Sequence, residues 1–174
     1  IIHSNHHYKV GEFSDLMETG FETLGNDILR NFRIGISRMH QFKENLATAV
    51  VESNHAASFH NDSAAPYIEY GALKTYQAIL PYANQSYMQN YAQDYILPLS
   101  KYDSENRSEI LSTVIEFVQC GGDIEKTGQR MGQHKNTIRN RLKKAGEILN
   151  LNPLALGDYE SLAMAIRIHI CSGQ

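Results

Sequence analysis

The stretch that most constrains this chain is residues 123–149, DIEKTGQRMGQHKNTIRNRLKKAGEIL. Asp123 ahead of Glu125 reads as the cap and acidic first turn of a short helix. Gly132 supplies a turn, and a second helix is expected over 135–149. In that helix Ile138, Leu142, Ala145 and Leu149 fall at i, i+4, i+7 and i+11, a single apolar face. Asn136, Arg139, Asn140 and Lys143 fall opposite. Residues 135–144 hold five basic residues (Lys135, Arg139, Arg141, Lys143, Lys144) and no acid, in a chain whose net charge is −3. A short helix, a glycine turn and a basic helix form the layout of a helix-turn-helix unit, whose second helix lies in the major groove of DNA.

The residue types suit that task. An arginine fork grips guanine O6 and N7 together, and an amide pairs with adenine N6 and N7. Residues near the start of such a helix reach base edges, which makes His134, Lys135, Asn136, Thr137, Arg139 and Asn140 the candidates. Arg141, Lys143 and Lys144 are expected against phosphates, with Lys126 and Arg130 of the preceding helix clamping the backbone. The alternative is a solvated basic face on a structural helix, or a helical module that binds an acidic protein. The outward amides favour bases over carboxylates.

Composition bounds the rest. The chain has 174 residues, 42% of them apolar and 20% charged, which is ordinary for a soluble protein of one domain or two small ones. Residues 123–148 hold seven Lys or Arg against three Asp or Glu, so the remainder is acidic. A basic patch on an acidic body fits a nucleic-acid module joined to another function. No apolar run approaches the roughly 18 residues that span a bilayer, and no signal peptide is visible, so a cytoplasmic protein is expected. The first residue is not Met, and a longer parent protein is expected. Cys120 and Cys171 read as reduced, partly buried thiols rather than a disulfide.

Along the chain, a helix is expected at 12–31, a strand at 32–37, and a helix at 39–59 with Met39, Phe42, Leu46, Ala49, Val50, Ala56 and Ala57 as its buried stripe. A turn at 61–66, a strand at 67–70 and helices near 72–80 and 85–97 complete an α/β half. The polar segment 98–107 (PLSKYDSENR) is read as the boundary between domains 1–98 and 99–174. The back half is all-α. It contains a helix at 105–119, broken by Gly121 and Gly122, then the two helices already described. Asn150 ends the basic helix. Asn152-Pro153 is read as an N-cap and first helical residue, and Asp158 as the cap of a last helix with Tyr159, Leu162, Ala163, Ile166 and Ile170 as its stripe.

The run ILSTVIEFVQCGGDIEKTGQRMGQHKNTIRNRLKKAGEIL resembles the C-terminal helix-turn-helix of the PucR/CdaR-like bacterial transcription regulators. That family's signature, His-Arg-Asn-Thr-x-x-Tyr-Arg-Leu, is matched in spacing by His134 through Leu142. Lys135 stands for the usual Arg and keeps charge without the fork. Asn140 stands for Tyr. Gly128 stands for a small Ala and is expected to loosen the contact between the helices. Arg33 to Ser37, the helix after it and residues 67–73 are similar to parts of the family's GGDEF-like domain, and Leu97-Pro98-Leu99 with Tyr102-Asp103 to its connecting segment. The resemblance implies a bacterial activator or repressor, often of catabolic genes, whose partners are double-stranded DNA and a second copy of itself. It also implies a small-molecule effector sensed by a domain outside this sequence.

Gly121-Gly122-Asp123 matches the start of a GGDEF cyclase signature, but here it sits at a break between helices, where capping accounts for each residue. There is no phosphate loop and no serine in a G-x-S-x-G setting. His55 and His60 are five apart, not at the i, i+4 spacing of helical ligands, and His40 and His169 stand alone. Neither an enzyme nor a metal or cofactor site is expected.

Overall fold

Parallel strands cannot be joined by a tight turn and need a crossover, usually a helix. The computed structural model describes residues 15, 19–20, 34–40, 45–59 and 67–173, and the first part of them has this arrangement. Strand β1 (Ile34–Ile36) pairs in parallel with β2 (Tyr67–Glu69), in the register Ile34↔Tyr67, Gly35↔Ile68 and Ile36↔Glu69. Helix α1 (Leu46–Ser58) is the crossover, and a 3-10 turn at Tyr70–Leu73 follows β2. Gly35 lets β1 and α1 meet. A Cβ there would run into the Ser53 carbonyl oxygen and lie 2.5 Å from the Ala57 nitrogen. Of the helix expected at 12–31, Asp15, Thr19 and Gly20 are described and helical. Its other residues, with Phe32, Arg33, Phe42 and the turn at 61–66, lie outside the described residues.

The stripe expected on α1 is corrected. The helix begins at Leu46 rather than near 39, and Met39, Leu46 and Val50 are exposed. Ala56 of the expected stripe is buried, and so is Glu52, which was not part of it. Glu52 is tolerated there because it is fully partnered. Its Oε2 accepts from the Arg38 backbone N–H at 2.9 Å and contacts His40 Nε2 at 2.8 Å, and its Oε1 accepts from Arg38 Nε at 2.9 Å and from Nη2. Burial pushes this carboxyl up, but the hydrogen bonds from Arg38 and His40 and the Arg38 charge outweigh it and hold the group at about 2. His40, which stood alone in the sequence, is thus part of a structural ion cluster. The Arg38 guanidinium lies 5.4 Å from the Tyr70 ring centre.

The chain divides into two compact units, Ile1–Lys74 and Thr75–Gln174. The second is all helical: α2 (Tyr76–Ile79), α3 (Ser86–Asn106), α4 (Ile110–Gln119), α5 (Ile124–Met131), α6 (Lys135–Leu149) and α7 (Leu156–Ser172). The boundary expected at 98/99 falls inside α3. Pro98 lacks the N–H of a helix interior, a loss of about 3 kcal/mol, yet Ile96 and Leu99 are buried on either side of it and hold the helix to the core. α3 ends at Arg107, which takes the left-handed conformation at φ 51°. The helix expected from 105 therefore begins at 110.

One apolar core serves α3, α4, α6 and α7, with Leu99, Val114, Phe117, Ile138, Leu142, Leu162 and Ile166 at its centre. Phe117 meets the Tyr159 ring edge-on at 5.6 Å. The start of α7 is also corrected. Asn152 opens a turn, its Oδ1 accepting from the Leu154 N–H, and α7 begins at Leu156. Asp158, inside the helix, accepts from the Asn152 N–H at 2.7 Å instead of capping. Among the described residues no helix is long and apolar enough to cross a membrane.

Candidate nucleic-acid interface

Four caps set the angle at which α5 and α6 leave the core. Gly121 and Gly122, at φ 70° and 83°, end α4 by turning their N–H groups back to the carbonyls of Val118 and Phe117. Asp123 then caps α5, its Oδ1 accepting from the N–H groups of Glu125 and Lys126 at 2.9 and 3.0 Å. Gly132, at φ 63°, ends α5, and the Gln133 N–H returns to the Gly128 carbonyl at 2.8 Å. His134 caps α6 through Nδ1, which accepts from the Asn136 N–H at 3.2 Å.

Gly128 does the opposite of what its substitution for alanine suggested. A Cβ there would stand 2.7 Å from the Gln133 carbonyl oxygen. Its absence lets the turn fold back onto α5, with the Ile138 side chain close by, so the contact between the two helices is tightened rather than loosened. Gly146 serves the same purpose at the far end of α6, where a Cβ would come within 2.5 Å of the Leu151 carbonyl oxygen.

The expected division of α6 is observed. Ile138, Leu142 and Ala145 are buried, while Lys135, Asn136, Arg139, Asn140 and Lys143 are exposed. Among the described residues Arg139, Lys143 and Lys126 make no ion pair. The other candidate cations differ. Lys135 reaches Glu125 at 2.9 Å, Arg130 reaches Glu116 at 2.8 Å, and Lys144 reaches Glu147 at 3.1 Å. Lys144 also lies 5.2 Å from the Tyr102 ring centre, and the Glu147 hydrogen bond with these neighbours pushes its pKa up. The Lys135 and Lys144 pairs are exposed on both sides, so they exchange readily for a phosphate.

Arg141, expected against phosphates, makes two contacts within the protein. Its Nη1 donates to Thr113 Oγ1 at 3.1 Å and its Nη2 to Glu109 Oε2 at 2.9 Å. Thr113 is fully buried. Sequence reasoning also missed Asp103, the true cap of α4. Its carboxylate accepts from the Ile110 and Leu111 N–H groups, both at 2.8 Å, and from the Ser108 hydroxyl. The signal was an acid seven residues ahead of an apolar run, which a search for caps directly before the helix passes over. A cleft of about 570 Å³ beside α6 is lined by Arg139, Lys143, Asn150, Leu151 and Leu154 among others.

Two helices set by a tight left-handed turn, the second with an outward face of cations and amides, define the helix-turn-helix class of DNA-binding domain. Within that class the chain carries one particular type: residues 110–168, about a third of its length, match the family described as the PucR C-terminal helix-turn-helix domain. Among solved structures, the crystal structure of a regulator of polyketide synthase expression from Bifidobacterium adolescentis aligns with 69% of this chain at 25% identity, with a TM-score of 0.41. This chain spans 49% of that structure's length. No curated protein matches the sequence.

Proposed function

We propose that the protein is a non-enzymatic, sequence-specific transcription regulator of bacterial genes, in particular catabolic ones, and that α6 reads the major groove. The carrying observation is the outward face of α6. Its amides, Arg139 and Lys143 are exposed, and among the described residues the two cations make no ion pair, while Ile138, Leu142 and Ala145 lock the helix to the core. His134, Lys135, Asn136, Thr137, Arg139 and Asn140 are assigned to base edges, and Lys143, Lys144, Lys126 and Arg130 to the backbone. The PucR-type match over residues 110–168 supports this reading. The resemblance around β1 supports a GGDEF-like regulatory role for the first unit, with the effector bound outside this sequence. Two copies would place their α6 helices about 34 Å apart, one turn of DNA.

The test is anisotropy titration of a labelled duplex from upstream of the protein's own gene, beside a shuffled duplex, over a salt series. Tighter binding to the native duplex, with affinity falling steeply as salt rises, is expected. Absence of binding at low salt would overturn the reading and favour an acidic protein partner.

A further inference from the structure

The cations of α6 do not share one chemical situation. Lys135 and Lys144 hold exposed acids by a single ammonium contact. Arg141 uses two nitrogens of its fork on two acceptors, Glu109 just before α4 and Thr113 in its first turn, and Thr113 is buried. Thr113 Oγ1 donates to the Glu109 carbonyl at 2.6 Å and accepts from Arg141 Nη1 at 3.1 Å, so the arginine completes a buried hydroxyl's hydrogen bonding. The second fork nitrogen reaches Glu109 Oε2 at 2.9 Å. About a fifth of the Arg141 side chain is exposed, against nearly half of Lys135. α4 is itself held in place by Asp103, which caps it from the end of α3.

We propose that Arg141 is a positioning residue for DNA recognition: its two-pronged bond to Thr113 and Glu109 fixes the rotation of α6 about its own axis, and so the direction in which Asn136, Arg139 and Asn140 point. Apolar contacts alone hold a helix against a core but let it roll by a few degrees. A planar fork bound to a buried hydroxyl and a carboxylate resists that roll. The role rests on the DNA-binding reading above and deepens it. It also fixes the residue type, because lysine carries the charge without the fork.

The experiment measures affinity for a labelled duplex from upstream of the protein's own gene over a salt series. It compares the full chain with Glu109→Ala, Arg141→Lys, Arg141→Gln and the double variant Glu109→Ala/Arg141→Lys. Circular dichroism of each confirms folding, and Glu109→Ala, which truncates a mostly exposed carboxylate, keeps the comparison valid if an Arg141 variant unfolds. Glu109→Ala is expected to weaken binding by about fivefold, the upper end for an exposed pair. Arg141→Lys is expected to weaken it by about tenfold with the salt slope unchanged, and the double variant to bind no worse than Arg141→Lys.

A phosphate-contacting Arg141 gives the reverse pattern and would overturn the proposal. Glu109→Ala would then tighten binding by freeing the cation and removing a negative charge. Arg141→Lys would bind like wild type, and Arg141→Gln would flatten the salt slope by about 0.9. Wild type failing to bind either this duplex or a random one at low salt would overturn the DNA-binding reading itself, an outcome distinct from any difference among the variants.

Discussion

Replacing Asp103 by alanine removes the acceptor for two α4 backbone N–H groups and for the Ser108 hydroxyl. A lost helix cap costs about 1 kcal/mol, ranging over roughly 0.5–2. Here the acceptor is charged and partly buried and serves two orphan donors at once, which places the loss near the top, at about 2 kcal/mol. The unit concerned, Thr75–Gln174, has about 100 residues. At an unfolding entropy of about 0.2 kcal/mol/K for that size, the melting midpoint should fall by about 10 °C. Asp103→Asn keeps one acceptor and should lose about half as much. Thermal and urea unfolding followed by far-UV circular dichroism measures both, with Asp123→Ala as the reference for an ordinary exposed cap. If Asp103→Ala shifts stability by less than about 0.5 kcal/mol, or if Asn is as costly as Ala, then α4 does not depend on this carboxylate and the reasoning fails.

Glu52, held at about 2 against an ordinary 4.5, contributes stability that is fully present above pH 4.5 and is lost as pH falls toward 2. Acid titration of tertiary signals in the first unit should show this loss, and Glu52→Gln should abolish it. Gly128→Ala should destabilise by about 1 kcal/mol, since overpacking of about 1–3 kcal/mol exceeds the roughly 1 kcal/mol gained in helix propensity; urea midpoints test the sign. Ile138→Ala should cost about 2–5 kcal/mol in unfolding free energy measured the same way. Burial pushes both thiols up, Cys171 to about 12, and Cys120 also donates to Glu116. Thiol reagents at neutral pH should therefore label the native protein slowly and the denatured protein at once.

The second unit was legible wherever local chemistry decides structure. Gly122, Asp123, Gly132 and Asn150 each act through their own backbone conformation or a cap two or three residues away, and the helix ends they set fall where the sequence places them. Errors arose where a distant partner overrides a local rule. The polar segment 98–107 reads as a break, but burial of Ile96 and Leu99 carries α3 through Pro98. Leu46 and Val50 signal a buried stripe, but Gly35 admits only a closely packed face of small residues, and Glu52 is stabilised by Arg38, fourteen positions away. The candidate site divides in the same way. The outward face of α6 follows from helical period alone. The engagement of Arg141 depends on Thr113, twenty-eight positions earlier, which no local pattern announces.

The separation of the two faces of α6 also bears on how such a protein changes over evolutionary time. The side chains that anchor the helix, Ile138, Leu142 and Ala145, share no positions with those that point outward, Asn136, Arg139, Asn140 and Lys143. Substitutions at the outward four leave the packed core untouched, and surface changes of that kind typically alter stability by less than about 0.5 kcal/mol. Under the DNA-binding reading proposed above, duplicated copies of this chain can therefore drift toward new target sequences without first acquiring a compensating mutation, and the same four positions are the ones to randomise in a library seeking altered specificity.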